Sequence, residues 1–208
     1  VAREQDRPRA VILAAGRSSR LGGTNKLLVE AGGHPVHEWH RKALADYEVN
    51  VVVRPEDAQV VRDAMPWVHL VVTHDRFDGP GGALHSYLER INEPDGLLVL
   101  FADTLLRTIP DDPGDWVGVA TPPGRVWDYW DGDWMRGVPR VNVCVGVYHF
   151  SCNDCLTRSL ALLVEGLAVE VSFADLLRHY SREHYVDHTQ INDWQDAGDP
   201  DALARVQP

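Results

Sequence analysis

Four short apolar runs, separated by helical patterns, constrain this chain most. They are "RAVILAA" from Arg9, "VNVVVRP" from Val49, "VHLVVTH" from Val68 and "GLLVLFAD" from Gly96. Each is apolar throughout rather than alternating, as expected of parallel strands covered on both faces. Between them lie "PVHEWHRKALADY", "EDAQVVRDAM" and "GGALHSYLERI", which read as helices. Strand–helix–strand repetition predicts an α/β, doubly wound sheet. The later residues predict a mixed addition. "RVWDYWDGDWMRG" reads as a hairpin turning at Asp131-Gly132, "RVNVCVGVYHF" and "EHYVDHTQI" as strands, and "SCNDCLTRSLALLVEGL" and "SFADLLRHYS" as helices. Asp199 is placed to cap a last short helix with Pro200 at its first position. At 208 residues one domain is expected, with a parallel half over about 10–110 and a mixed half over about 111–208.

The first run ends in "LAAGRSSRLGGTNKLL", which falls where ligands of open α/β sheets bind. Ala14, Ala15 and Gly16 let a flat ring or a phosphate approach the backbone. Gly22 and Gly23 permit a tight return. Arg20 offers a fork of donors to phosphate oxygens and Lys26 a mobile point charge. A P-loop is excluded because Thr24, not Lys, follows the paired glycines. A dinucleotide fingerprint is excluded because position 18 is Ser.

The remaining pattern, LAAGxxxRLxxxxxK, resembles the signature of the nucleotidyltransferase superfamily, in particular the sugar-1-phosphate nucleotidyltransferases. The resemblance implies a single-domain, Rossmann-like fold of the nucleotide-diphospho-sugar transferase type. It implies that Leu13, Ala14, Ala15 and Gly16 hold an NTP and that Arg20 and Lys26 act on its phosphates. It also implies Mg²⁺ on Asp103, at the end of "LLVLFAD", and on Asp196 in "WQDAGDP". Gly79, Gly82 and Ala83 of "DGPGGALHSYL" resemble the family's base- and sugar-contacting segment. Asn142 and Gly146 of "VNVCVGVYHF" resemble its acceptor-lining strand.

Two departures bear on the substrate. The spacer between Arg20 and Lys26 is only "LGGTN", a loop more similar to the molybdenum-cofactor nucleotidyltransferases, although the Asp-x-Pro usual there is replaced by "DTL". No lysine follows Lys42, so the family's acceptor-phosphate lysine must be replaced by Arg125, Arg136 or Arg140; Arg140 is the acceptor residue expected here.

The expected activity is therefore Mg²⁺-dependent transfer of a nucleotidyl group from an NTP to a phosphomonoester, foremost a sugar-1-phosphate, with release of pyrophosphate. Three alternatives stand beside it. Nucleotidylation of a molybdopterin-type cofactor is one. A glycosyltransferase of similar fold is another, though it would typically carry DxD and "LFADTLL" has one Asp. A non-catalytic nucleotide-binding module is the third, though such proteins typically lose one of the four side chains Arg20, Lys26, Asp103 and Asp196.

The net charge of −11 disfavours broad nucleic-acid or anionic-membrane surfaces. No apolar run has membrane-spanning length, and "VAREQDRPRA" lacks a signal-peptide core. The expected partners are an NTP and a small phosphorylated substrate, with no nucleic acid and no membrane; a homo-oligomer is left open. Three cysteines, an odd number, read as a reducing compartment, hence the cytoplasm. The "CNDC" pair, Cys152 and Cys155, could be redox-active or half a zinc site. Neither a thioredoxin-like setting nor a second ligand pair is visible, so it reads as structural. His34, His37 and His40 lack HExxH spacing and read as amphipathic surface and first-turn packing. The "WDYWDGDW" hairpin has two equal readings, a platform for acceptor or partner and cross-strand packing.

Overall fold

The structure is a computed structural model that describes residues 7–73, 79–91, 96–121, 127–131, 133–137, 142–166 and 170–207. In chain order the first half comprises β1 (Arg9–Leu13), β2 (Glu30–Ala31), β3 (His34–Pro35), α1 (Val36–Ala43), β4 (Glu48–Val53), α2 (Ala58–Ala64), β5 (His69–Val72), α3 (Gly79–Leu88) and β6 (Leu97–Phe101). The second half comprises β7 (Thr104–Leu105), β8 (Trp116–Ala120), β9 (Trp127–Trp130), β10 (Trp134–Gly137), β11 (Val143–Phe150), α4 (Asn153–Gly166), α5 (Phe173–Tyr180), β12 (Asp187–Gln190), β13 (Gln195–Asp196) and α6 (Pro200–Leu203).

One sheet runs through both halves in the order β10-β9-β11-β6-β1-β4-β5, with β8 bridging β11 and β12. β6, β1, β4 and β5 are parallel, as their unbroken apolar character predicts. β11 joins β6 antiparallel, which makes the sheet mixed beyond β6. Side-chain alternation along β1 feeds two cores. Ala10 and Ile12 pack with Val36, Trp39, Leu44 and Val61 of the α1/α2 side. Val11 and Leu13 pack with Leu84, Tyr87, Leu156 and Leu177 of the α3/α4/α5 side. Helices on both faces complete the doubly wound fold expected from the sequence. Among the described residues no helix is long and apolar enough to cross a membrane.

The hairpin forms as predicted, with Trp134 opposite Trp130 and Arg136 opposite Asp128; Gly132 lies outside the described residues. Packing explains most of its aromatic content. Trp134 is buried and stacks on His188, while half-exposed Trp130 leans on both rings. β11 carries a register shift between Cys144 and Tyr148, centred on Gly146. Gly146 has φ +79°, and a Cβ there would lie 2.4 Å from Thr104 Oγ1 and 2.9 Å from the Phe101 ring. This glycine is thus required by the bulge that lets β11 pass over the end of β6.

One expectation about a small motif needs correction. His40 is buried, not superficial, and its Nε2 lies 3.0 Å from the Ala102 carbonyl oxygen. His37 is buried as well. Cys152 and Cys155, read from sequence as a structural pair, are joined by a disulfide.

Candidate active site

Strand order reverses around β1. The chain goes from β1 to β4 on one side and returns from β5 to β6 on the other, so a crevice opens beyond the ends of β1 and β6. A cavity of about 480 Å³ occupies it. From the first half it is lined by Leu13, Ala14, Ala15, Gly16, Arg20, Lys26, Gly79, Ala83 and Asp103, and from the second by Gly146 and Asp196. These are eleven of the residues singled out from sequence, and the fold brings them to one cavity. Gly82 is buried inside α3 and does not line it. Asn142 also lies apart, exposed, with its Nδ2 donating to Gln190 Oε1 at 3.3 Å. Arg125 and Arg140 lie outside the described residues.

The loop after β1 curls through left-handed conformations at Ser18 (φ 48°), Gly22 (φ 66°) and Gly23 (φ 85°). The Leu21 and Gly23 amides donate to the Ser18 carbonyl and close the curl. Its cations differ in setting. Arg20 has a side chain 62% exposed and stands 3.9 Å from Asp199; Lys26 is 21% exposed and ion-paired with Asp103. Lys26 is therefore held over the strand ends, while Arg20 stands at the exposed rim.

Lys26 owes its position to a buried network that sequence reasoning missed. Asn25 accepts the Leu27 amide on Oδ1 (3.1 Å), capping the 3-10 turn Lys26–Leu28. Its Nδ2 donates to the Ala14 carbonyl and to Asp57 Oδ2, both at 3.0 Å. Arg54 donates to the same Asp57 oxygen through Nε and Nη2. The end of β1, the Lys26 turn and the start of α2 are thus tied together. The signal available in sequence was an Asn directly before the motif lysine.

The two carboxylates are 93 residues apart in sequence and adjacent in space. β13 pairs antiparallel with β7, setting Asp196 opposite Thr104, and the Ala197 amide donates to the Asp103 carbonyl at 2.9 Å. Gly198 fills the gap: a Cβ on it would lie 2.9 Å from Asp196 Oδ1 and 3.0 Å from Asp103 Oδ2. Among the described residues no group of three or more His, Cys, Asp or Glu side chains converges as a complete metal site. Two hard carboxylates without a third protein ligand suit Mg²⁺, which commonly takes one or two carboxylates and completes its shell with phosphate and water. His40 stands behind this edge, and burial holds its imidazole below the usual histidine range.

The second half also contributes Asp128 and Arg136 from the hairpin, Cys144 and Tyr148 from β11, and Glu170, Ser172 and Phe173 near the start of α5. Among the described residues Asp128 Oδ1 is buried without a hydrogen-bond partner, and burial pushes the carboxyl above the usual range although Arg136 opposes the shift. Arg136 is the described cation that lines this side. Gly79 (φ +84°) and Gly81 are held tightly against residues 170–171. A Cβ at Gly79 would lie 2.8 Å from Glu170 Cγ, and one at Gly81 would lie 2.6 Å from Val171 Cγ1. Gly81 was not among the sequence candidates, and its role is packing.

Residues 10–110 match the model of the MobA-like NTP transferase domain. No curated protein matches the chain. Among solved structures it is similar to the nucleoside-diphosphate-sugar pyrophosphorylase from Vibrio cholerae RC9, with 16% identity, 94% of this chain and 98% of that one covered, and a TM-score of 0.70. A Bacillus anthracis protein described as a glucose-1-phosphate thymidylyltransferase gives 18% identity, 95% and 92% coverage, and a TM-score of 0.73. The inositol-1-phosphate CTP transferase from T. maritima gives 15%, 95% and 91%, and 0.67. At such identities the likeness is one of fold, and it spans both halves of the chain. The chain is thus similar over residues 10–110 to a MobA-like NTP transferase domain, and as a whole it takes the fold seen in these three structures.

Proposed function

We propose that this protein transfers a nucleotidyl group from an NTP to a phosphomonoester, foremost a sugar-1-phosphate, and releases pyrophosphate. The observation that carries this reading is the convergence of Lys26, Asp103 and Asp196 on one cavity floored by Ala14, Ala15 and Gly16. The acceptor's second phosphate pKa is about 6, so its oxygen is already ionised near neutral pH and no general base is needed. The protein's work is then positioning and charge neutralisation. Lys26 would hold the triphosphate from beside the strand ends, and Arg20 would close on it from the rim. Arg136 would take the acceptor's phosphate, the role expected from sequence of one of three arginines. Asp103 and Asp196 would hold Mg²⁺, which when bound supplies neutralisation of charge at the α-phosphate and the leaving group.

A second reading, nucleotidylation of a molybdopterin-type cofactor, uses the same donor side. The short "LGGTN" spacer and the family of residues 10–110 favour it; the Trp194-to-Pro200 segment favours the sugar branch. Pyrophosphate release, measured with each NTP against sugar-1-phosphates, inositol phosphate and molybdopterin, with and without Mg²⁺, separates the two. The proposal expects release with a sugar or cyclitol phosphate; release with molybdopterin alone replaces it, and release with no pair refutes both.

A further inference from the structure

The proposed reaction makes no use of Cys152 and Cys155. Cys152 stands at the N-cap of α4: its carbonyl oxygen accepts the Leu156 amide, the first bond of the helix. Its Sγ accepts the Cys155 amide at 3.3 Å, in the manner of a capping side chain. A sulfur so placed faces the positive end of a 14-residue helix, which favours the thiolate. Both cysteines are half-buried, so both are within reach of a small reagent. Cys144 is the contrast. It is buried, and burial pushes its thiol far above the ordinary range, leaving it inert.

A staple explains the pair poorly. A disulfide constrains the unfolded chain more as the loop it closes lengthens, and a separation of 3 residues is close to the minimum. The bond also adds little to α4, which is held by packing of Leu156 and Leu160 into the core shared with α3 and α5. The features that remain are those of exchange chemistry: an accessible pair, a helix-stabilised thiolate and a partner one turn away.

We propose that Cys152 and Cys155 form a reversible dithiol–disulfide site that exchanges with external thiols of the glutathione class, with Cys152 as the attacking sulfur. In the closing direction the Cys152 thiolate attacks one sulfur of glutathione disulfide. A mixed disulfide forms and one glutathione leaves as thiolate. Cys155 gives its proton to water and attacks Cys152 Sγ, and the second glutathione leaves as thiolate. The protein dithiol loses two electrons and the external disulfide gains them; opening is the reverse, consuming two reduced glutathiones. The pair follows Phe150, which pairs with Leu97 at the start of β6, so it lies toward the sheet end opposite the candidate active site.

Thiol counting tests this without any activity assay. Native protein is equilibrated in glutathione buffers of graded ratio, alkylated and weighed by mass spectrometry. The expected result is two alkylated cysteines under reducing conditions and none of that pair under oxidising ones, with Cys144 unmodified throughout. Cys155→Ser is expected to trap glutathione on Cys152, and Cys152→Ser to trap it on Cys155 at least tenfold more slowly. A pair that stays closed in millimolar dithiothreitol, or that stays open in excess glutathione disulfide, overturns the proposal on wild-type protein alone. Equal trapping rates in the two variants overturn the assignment of Cys152.

Discussion

Lys26 Nζ is ion-paired with Asp103 Oδ2, so the loop's less exposed cation sits on the carboxylate proposed to hold a divalent ion. The two partners come from the turn after β1 and from the end of β6. Binding of a nucleotide with its metal would redistribute this pair, Lys26 to phosphate and Asp103 to metal. Lys26→Met is therefore expected to lower kcat/KM by about 10²–10³, the range for a lost transition-state donor. The same variant should bind Mn²⁺ more tightly than wild type when no nucleotide is present. Electron paramagnetic resonance of free Mn²⁺ reads this directly, and weaker or equal binding would refute the exchange.

Asn25→Ala removes the cap of the Lys26 turn and leaves the Ala14 carbonyl without its side-chain donor. Asp57 keeps Arg54. The loss should cost about 1–3 kcal/mol of stability, as for a buried group left unsatisfied. Activity should fall as well, because the Lys26 turn is no longer fixed. Urea denaturation and kcat on the same preparation check both; unchanged stability would show that the network is not closed as described.

Much of this arrangement was legible in the sequence because local chemistry wrote it there. Buried parallel strands require unbroken apolar runs, so β1, β4, β5 and β6 announced themselves, and the loop after β1 declared its cations. Asp196 was legible only through the resemblance of "WQDAGDP", since nothing local says that β13 will pair with β7. What stayed hidden depends on tertiary contact. His40 sits in an amphipathic pattern, and only packing of α1 beneath β6 shows that it is buried against Ala102. Asn142 fits the family pattern, yet its side chain turns to Gln190 and not to the cavity. The N-cap position of Cys152 likewise emerges from the start of α4 and not from the spacing "CNDC".

Two glycines should respond oppositely to alanine. At Gly198 a Cβ would crowd Asp196 Oδ1 and Asp103 Oδ2, side-chain atoms at the edge of a cavity. Gly198→Ala should weaken divalent-ion binding and turnover at least tenfold while the melting temperature changes little. At Gly146 the φ of +79° and the contact with Thr104 fall inside the sheet. Gly146→Ala should cost about 1–3 kcal/mol through backbone strain and overpacking. Thermal melts of the two variants, read beside metal titration, separate a site effect from a fold effect; a large stability loss in Gly198→Ala would contradict the assignment.

Stability should fall as the pH drops below the ordinary histidine pKa of about 6.5. Burial lowers the pKa of His40; the Ala102 carbonyl and the Asp103 charge oppose that shift only in part, and His37 adds to it. In the unfolded chain His40 takes a proton near pH 6.5, while in the folded chain it stays neutral to lower pH. The unfolded state then binds more protons, and the slope of unfolding free energy with pH is positive in that window. The stability is present above the unfolded pKa and is lost as pH falls toward the folded one. His37 and His188, also lowered chiefly by burial, add slope of the same sign. His40→Gln should remove part of this dependence between about pH 7 and 5, since glutamine does not titrate there. Denaturant titrations across that range measure it. A slope unchanged in the variant would mean that His40 takes its proton in the folded protein as readily as in the unfolded chain.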